Sequence, residues 1–307
     1  MPRRRISPHR AIPFALLVSF LALSGCHPGN DEAKRLTRSC TTGDADACNQ
    51  LGLKLLKGEY VLRDDARAAI VFKQACDVGV GASCTSLGTL YHEGKGVKKD
   101  SILTVNLHRR GCELGAMDGC TRLGVLHLQG AGVARDTGQA LGLFQKACDG
   151  RDMPGCSHLG TLYFEGTAVP QDVARATDLF KQSCTAKVPL GCLGLGRAYA
   201  ADSGGQHNDS LAADLFKQAC DGNEPAGCFH LGVVNEAGRG VTQNFQRAAQ
   251  LYRSACEDRH AESCYNLAKM YENGAGVYRQ PERAASVMRR SCELGYAKAC
   301  ATKPAGA

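Results

Sequence analysis

Residues 81–116, GASCTSLGTLYHEGKGVKKDSILTVNLHRRGCELGA, decide the fold, because their pattern returns every 36 residues. The cysteines mark the period. Sixteen of the seventeen stand as Cys40/Cys48, Cys76/Cys84, Cys112/Cys120, Cys148/Cys156, Cys184/Cys192, Cys220/Cys228, Cys256/Cys264 and Cys292/Cys300, each pair spaced C-x7-C. A constant period of this size means an array in which each unit is one supersecondary element. After Cys84, small and apolar residues sit at +3, +4, +6 and +7 (Leu87, Gly88, Leu90, Tyr91), the spacing of one helical stripe. Leu51, Leu123, Leu159, Leu195, Leu231 and Leu267 repeat position +3, and Gly52, Gly124, Gly160, Gly196 and Gly232 repeat +4, with Ala268 last. Mid-helix glycine is unfavourable by about 1 kcal/mol against alanine, so the repeated glycine predicts two closely crossing helix backbones.

The G-x-G-V segment, as in Gly94-Lys95-Gly96-Val97, predicts a tight turn. A second helix follows it. Asp64, Asp100, Asp136, Asp172, Asn208 and Asn244 share the phase of its N-cap, and Gln280 with Pro281 takes that place in the last unit. Ala140, Leu143 and Phe144, or Ala212, Leu215 and Phe216, then have core spacing. Each unit is therefore predicted as an antiparallel helix pair. Seven full units run 45–80, 81–116, 117–152, 153–188, 189–224, 225–260 and 261–296; residues 31–44 read as an N-terminal capping helix and 297–307 as a truncated cap. Unit one lacks the double glycine (Gly58-Glu59-Tyr60-Val61), and unit five carries Asp202 to Asn208 without the valine, which predicts altered turns and, at unit five, a local change of curvature.

The N-terminus reads as an export signal. Arg3, Arg4, Arg5 and Arg10 precede the apolar run Ala11–Ala22, which is short for a membrane span. It ends in Leu23-Ser24-Gly25-Cys26, which resembles the bacterial lipobox; residues 1–25 are then the lipoprotein signal peptide, Cys26 the lipidation site and 26–30 a short tether. His27 after the cysteine resembles the outer-membrane sorting class, so the expected location is the periplasmic face of the outer membrane. An exported chain with sixteen regular cysteines reads as a disulfide framework, against buried thiols as the alternative. Each C-x7-C would join one unit's second helix to the next unit's first. No C-x2-C or H-x3-H spacing suggests zinc, and no metal site or cofactor is predicted. Four of the 37 Lys and Arg residues lie in the signal segment, leaving 33 basic against 30 acidic, a balance without a nucleic-acid footprint.

The motif L-G-x-L-Y-x-x-G-x-G-V-x-x-D-x-x-x-A-x-x-L-F-x-x-A resembles the Sel-1-like repeat, a tetratricopeptide relative, and the added C-x7-C resembles its cysteine-rich Hcp-type branch. The resemblance implies an all-α, right-handed superhelical α/α solenoid with first helices lining a concave face, and adaptor or scaffold roles. It also implies an alternative, a β-lactam-interacting hydrolase. The motifs S-x-x-K, S-D-N, K-T-G and H-E-x-x-H do not occur, so no catalytic residue is assigned. His92, His127, His158 and His230 fall on first helices in different units.

Phases +1, +5 and +8 of the first helices lie off the core stripe and vary between units. They give a candidate binding groove: His92, Val125, Leu128, Phe164, Arg197, Phe229, Val233 and Tyr265. Leu53 and Leu56 fall in the same phases but read as packing; for Phe164 and Phe229 both readings stay open. The expected partner is a protein or peptide of the cell envelope, with peptidoglycan fragments as a second ligand class.

Overall fold

A computed structural model describes residues 28–201 and 207–301. The signal segment, Cys26, most of the unit-five turn and the last six residues lie outside the described residues. Among those described there are sixteen helices and no strand. Helix α1 (Pro28–Thr41) comes first and takes in Pro28 to Asn30, so these residues continue a helix instead of forming part of a tether. Seven pairs follow: α2 (Ala45–Lys57) with α3 (Asp65–Asp77), α4 (Gly81–Glu93) with α5 (Ser101–Glu113), α6 (Met117–Gln129) with α7 (Thr137–Asp149), α8 (Met153–Glu165) with α9 (Val173–Thr185), α10 (Pro189–Ala200) with α11 (Asp209–Asp221), α12 (Pro225–Ala237) with α13 (Phe245–Glu257), and α14 (Ala261–Asn273) with α15 (Pro281–Glu293). Helix α16 (Ala297–Ala301) ends the array.

The second helices start where a side chain accepts from the orphan N–H groups of the first turn. Asp100 accepts from the Leu103 N–H at 2.9 Å, and Asp64, Asp136, Asp172, Asn208 and Asn244 do the same in their units. Gln280 makes no such side-chain bond, and there Pro281 occupies the first turn, where a missing N–H costs nothing. In the turn of unit two Gly94 and Gly96 take left-handed backbone at φ 71° and 67°. Tyr60 and Ala168 hold the Gly96 position of units one and four at φ 60° and 65°, so the turn survives without its second glycine.

Eight disulfides cross the joints between one second helix and the next first helix, with Cα atoms 4.5–4.8 Å apart. Cys48, Cys84, Cys120, Cys156, Cys192, Cys228 and Cys264 are buried at the first turn of their helices. Closing so short a loop stabilises by roughly 2.5 kcal/mol in the chain-entropy model.

The repeated glycine has a different partner from the expected one. A methyl group on Gly124 would lie 2.6 Å from Cε1 of Phe144, and the same holds for Gly52 with Phe72 (2.5 Å), Gly160 with Phe180 (2.8 Å), Gly196 with Phe216 (2.7 Å) and Gly232 with Tyr252 (2.6 Å). The space left by the missing side chain takes an aromatic edge from the second helix of the same unit, not a second backbone. All five rings are buried to within 1 % exposure. Burial of one such ring contributes about 1.5–3 kcal/mol, which outweighs the ~1 kcal/mol penalty of the glycine. In the last unit the same two phases hold Ala268 and Met288, a larger residue facing a narrower one.

Neighbouring first helices touch (α4 with α6, α6 with α8, α8 with α10, α10 with α12), whereas no neighbouring second helices do so comparably. The array therefore bends toward its first helices, which line the inner face. The most extensive of these contacts is α8 with α10, at the entrance to unit five. There Gly194 brings no side chain, and the ring edge of Phe180 meets both Gly160 and Gly194.

Candidate functional site

The inner face carries two separate recesses. The first, of about 340 Å³, lies across α4, α6 and the start of α8, with His108 of α5 at its base. His108 occupies the phase that holds the core aromatic in other units; its ring packs on Gly88, where a methyl would lie 2.8 Å from Cε1. An imidazole is smaller than a phenyl ring and brings polar atoms into the core. The side chain is 3 % exposed and its Nδ1 has no hydrogen-bond partner. Burial first, then Arg122 and His92, pushes its pKa down to about 4, so the ring is neutral at ordinary pH.

Polar groups form the wall of this recess. Thr121 donates to Asp152 Oδ2 at 2.6 Å, and the same oxygen accepts from the Gly155 N–H at 3.0 Å, so Asp152 caps α8 and ties it to α6. Asp118 stands 4.0 Å from Arg122, and burial raises its pKa. Val125 and Leu126 add apolar surface. Together these groups offer a guanidinium, carboxyl groups and imidazoles, with that of His108 neutral, above an apolar patch, a set suited to backbone amides and polar side chains of a peptide.

The second recess, of about 280 Å³, spans α8, α10 and α12 and is more apolar. Phe164 meets Phe180 edge-on at 6.2 Å, and the Arg197 guanidinium lies 5.1 Å over the Phe164 ring while approaching Glu165 at 3.3 Å. Val233 and Val234 form the opposite wall, with Arg239 at the rim. His230 stacks on Phe216 at 5.0 Å; burial first, then Arg197, lowers its pKa to about 4.

Of the eight residues expected in one groove, His92 and Val125 line the first recess, and Phe164, Arg197 and Val233 line the second. The other three do not join them. Leu128 packs against the cluster around Phe144 and Leu159. Phe229 lies 4.9 Å from the His260 ring and Tyr265 lies 5.2 Å from Tyr296, so these two phase +1 rings fill the next joint. Leu53 is exposed and Leu56 packs on the core, in neither recess. Phase +2 contributes instead: Arg122, His158 and His230 all line recesses. This phase sits over the aromatic of the preceding unit, as His158 does on Phe144 at 4.9 Å. Arg122 beside His108 is the same arrangement with both partners polar.

The contact that looks most like a nucleophile and its base is His260 Nδ1 with Ser263 Oγ at 2.9 Å. It is a helix cap: the same nitrogen accepts from the Ser263 N–H at 3.2 Å, and Ser263 is fully buried. Among the described residues no three His, Cys, Asp or Glu side chains could hold a metal ion, and no helix is long and apolar enough to cross a membrane.

The chain is 31 % identical to c5321, a protective antigen of uropathogenic Escherichia coli with an SLR fold; the match covers 87 % of this chain and 57 % of that one, with a TM-score of 0.57. A Sel1 repeat protein from Oxalobacter formigenes matches at 21 % identity over 87 % of this chain and 78 % of that one, with a TM-score of 0.58. The Helicobacter pylori cysteine-rich protein B is 29 % identical over 44 % of this chain and 97 % of its own, with a TM-score of 0.35. No curated protein matches the sequence. The Sel1 repeat model matches seven times, at residues 45–80, 81–115, 118–152, 154–187, 189–224, 225–260 and 261–296. Seven matched repeats across most of its length, on a frame of paired helices, make the chain a member of the Sel1 repeat family.

Proposed function

We propose that the chain is a cell-envelope scaffold that binds an extended or helical peptide segment of a partner protein across the two recesses of its inner face. Sel1 repeats are generally protein-interaction modules. The observation that carries the reading is the second recess, where the half-buried Phe164 and Val233 form an apolar slot bordered by Arg197 and Arg239. An apolar anchor side chain fits between those walls, and the basic rim favours a partner with acidic residues beside that anchor. The first recess accepts the polar part of the same segment.

In this reading Cys26 carries the lipid anchor, and export supplies the oxidising compartment in which eight disulfides persist. Peptidoglycan fragments are the second ligand class for the polar recess.

The test is capture from envelope extract with the oxidised protein, followed by peptide titration against Phe164→Ala, Arg197→Glu and Val125→Asp. Each substitution is expected to weaken binding about tenfold or more. Binding that ignores all three would remove the inner face from the reading. Fractionation of Cys26→Ala, expected in the soluble fraction, checks the anchor. Turnover of a chromogenic cephalosporin that disappears with one defined side chain would instead establish the hydrolase alternative.

A further inference from the structure

Away from the inner face, the groove between α13 and α15 holds two arginines and no acid. This cavity of about 610 Å³ is bordered by Gln246 and Arg253 of α13, Tyr271 near the end of α14, the turn at Gly276–Tyr278, and Gln280 and Arg283. Arg253 Nη2 donates to Tyr271 Oη at 3.0 Å, and its Nε is buried with no hydrogen-bond partner. The Arg283 guanidinium lies 4.9 Å over the Tyr271 ring. Neither arginine makes an ion pair among the described residues.

The repeat supplies an internal comparison. The equivalent residues one hundred and eight positions earlier are Tyr163 and Arg175 of unit four and Gln145 of unit three. Arg175 lies 4.3 Å over Tyr163 and donates to Gln145 Oε1 at 3.4 Å, which closes the set with one cation and one acceptor. At the joint of units six and seven, Arg253 stands where that acceptor was. In units one and five this phase is basic and neutralised on its own helix: Lys73 reaches Asp77 and Lys217 reaches Asp221, both at 2.6 Å; Arg109 instead donates to Asn106. Arg253 has Glu257 at the corresponding spacing and turns to Tyr271 instead. Two guanidinium groups on one tyrosine repel each other, and a buried donor without an acceptor is costly. The remaining polar lining, the Gln246 and Gln280 side chains and the Tyr271 hydroxyl, can also donate, and no carboxylate borders the cavity.

We propose that this groove binds an oxyanion, a carboxylate or a phosphate group, held by Arg253 and Arg283 with Tyr271 between them. Guanidinium forks match both anions in geometry and charge. The site lies apart from the peptide-binding recesses, so its failure leaves that reading untouched.

The test follows the arginine side-chain Nε–Hε signals of the oxidised, 15N-arginine-labelled protein. Inorganic phosphate and succinate are titrated at constant ionic strength, with sodium chloride as control. The Arg253 signal is expected to move to saturation with at least one of the two, and Arg283→Gln is expected to weaken that binding about tenfold or more. Movement with phosphate alone assigns a phosphate ligand, with succinate alone a carboxylate; either supports the site. No saturable movement, an equal response to chloride, or an unchanged titration in Arg283→Gln overturns it. Arg283 is exposed, so that variant folds and decides the matter even if Arg253→Gln does not.

Discussion

The His108 ring lies against Gly88 as the Phe72 ring lies against Gly52. The polar recess on the inner face thus begins with a substitution inside the hydrophobic core. Five units keep a benzene ring at that place; unit two exchanges it for a smaller, polar one and becomes the base of a cavity.

His108→Phe should therefore stabilise the protein while shrinking the recess. It removes a buried, unpartnered nitrogen and restores apolar burial, for a gain of about 1–3 kcal/mol. For an array of this size that is a rise in Tm of several degrees. Thermal melts followed by circular dichroism check it; a clear loss of stability would show that the imidazole makes a contact the core depends on.

Stability should fall as the solution is acidified from pH 6.5 toward 4. His108, His158 and His230 all have folded pKa values lowered to about 4, chiefly by burial, against an unfolded value near 6.5. Between those limits the unfolded chain binds more protons, so the stability that neutral histidines contribute is full above the window and is lost as pH drops through it. Each contributes a slope of up to about 1.4 kcal/mol per pH unit. Urea melts from pH 7.5 to 4.5 should show the slope, and His158→Gln should reduce it. A pH-independent midpoint would contradict the burial of these rings.

The glycine and aromatic phases should be energetically coupled. Gly124→Ala places a methyl 2.6 Å from the Phe144 ring and should destabilise by about 1–3 kcal/mol. Phe144→Met imitates the Ala268 and Met288 pairing of the last unit. The double variant should be more stable than the two single losses added together, by about 1 kcal/mol. A strictly additive cycle would sink the pairing.

This pairing also separates what the sequence makes legible from what it does not. Caps, turns and bridges depend on residue types at fixed separations within one unit or across one joint, so Asp100, Gly94 and the C-x7-C pairs announce themselves. The repeated glycine was visible too, but its partner lies 20 residues away on another helix, and its reading as a backbone crossing missed Phe144. The recesses are harder still, because each draws on three successive first helices. Which phase faces inward depends on how units tilt: Phe229 and Tyr265 turn into the next joint, while Arg122, His158 and His230 reach the surface of the recess. The signal for the latter was the exchange of aromatic for histidine at position 108, which stands out only once the ring phase is known to be core.

Ala168→Gly should stabilise, against the usual expectation for such a change. Ala168 sits at φ 65°, where glycine carries no steric penalty, and Gly96, Gly132, Gly240 and Gly276 fill this place in other units. The expected gain is about 1 kcal/mol, read as a higher denaturation midpoint. A loss would mean that the alanine methyl makes a compensating contact.

Reduction should begin at the C-terminal end. Cys300 is exposed and belongs to the last bridge, whereas its counterparts in the other seven bridges are buried. Graded thiol reductant followed by alkylation and mass spectrometry should label Cys292 and Cys300 first. Simultaneous labelling of all pairs would indicate that the whole array opens at once.

The placement of the bridges has a mechanical consequence. Every bridge spans the same short separation and locks a joint, leaving the helix pair between successive joints free to lengthen. Pulled from its ends, the oxidised protein should pay out in equal steps, one helix pair at a time, with the joints surviving as knots along the extended strand. An array of this construction can give way under load at one unit and re-form it without losing the register of its neighbours.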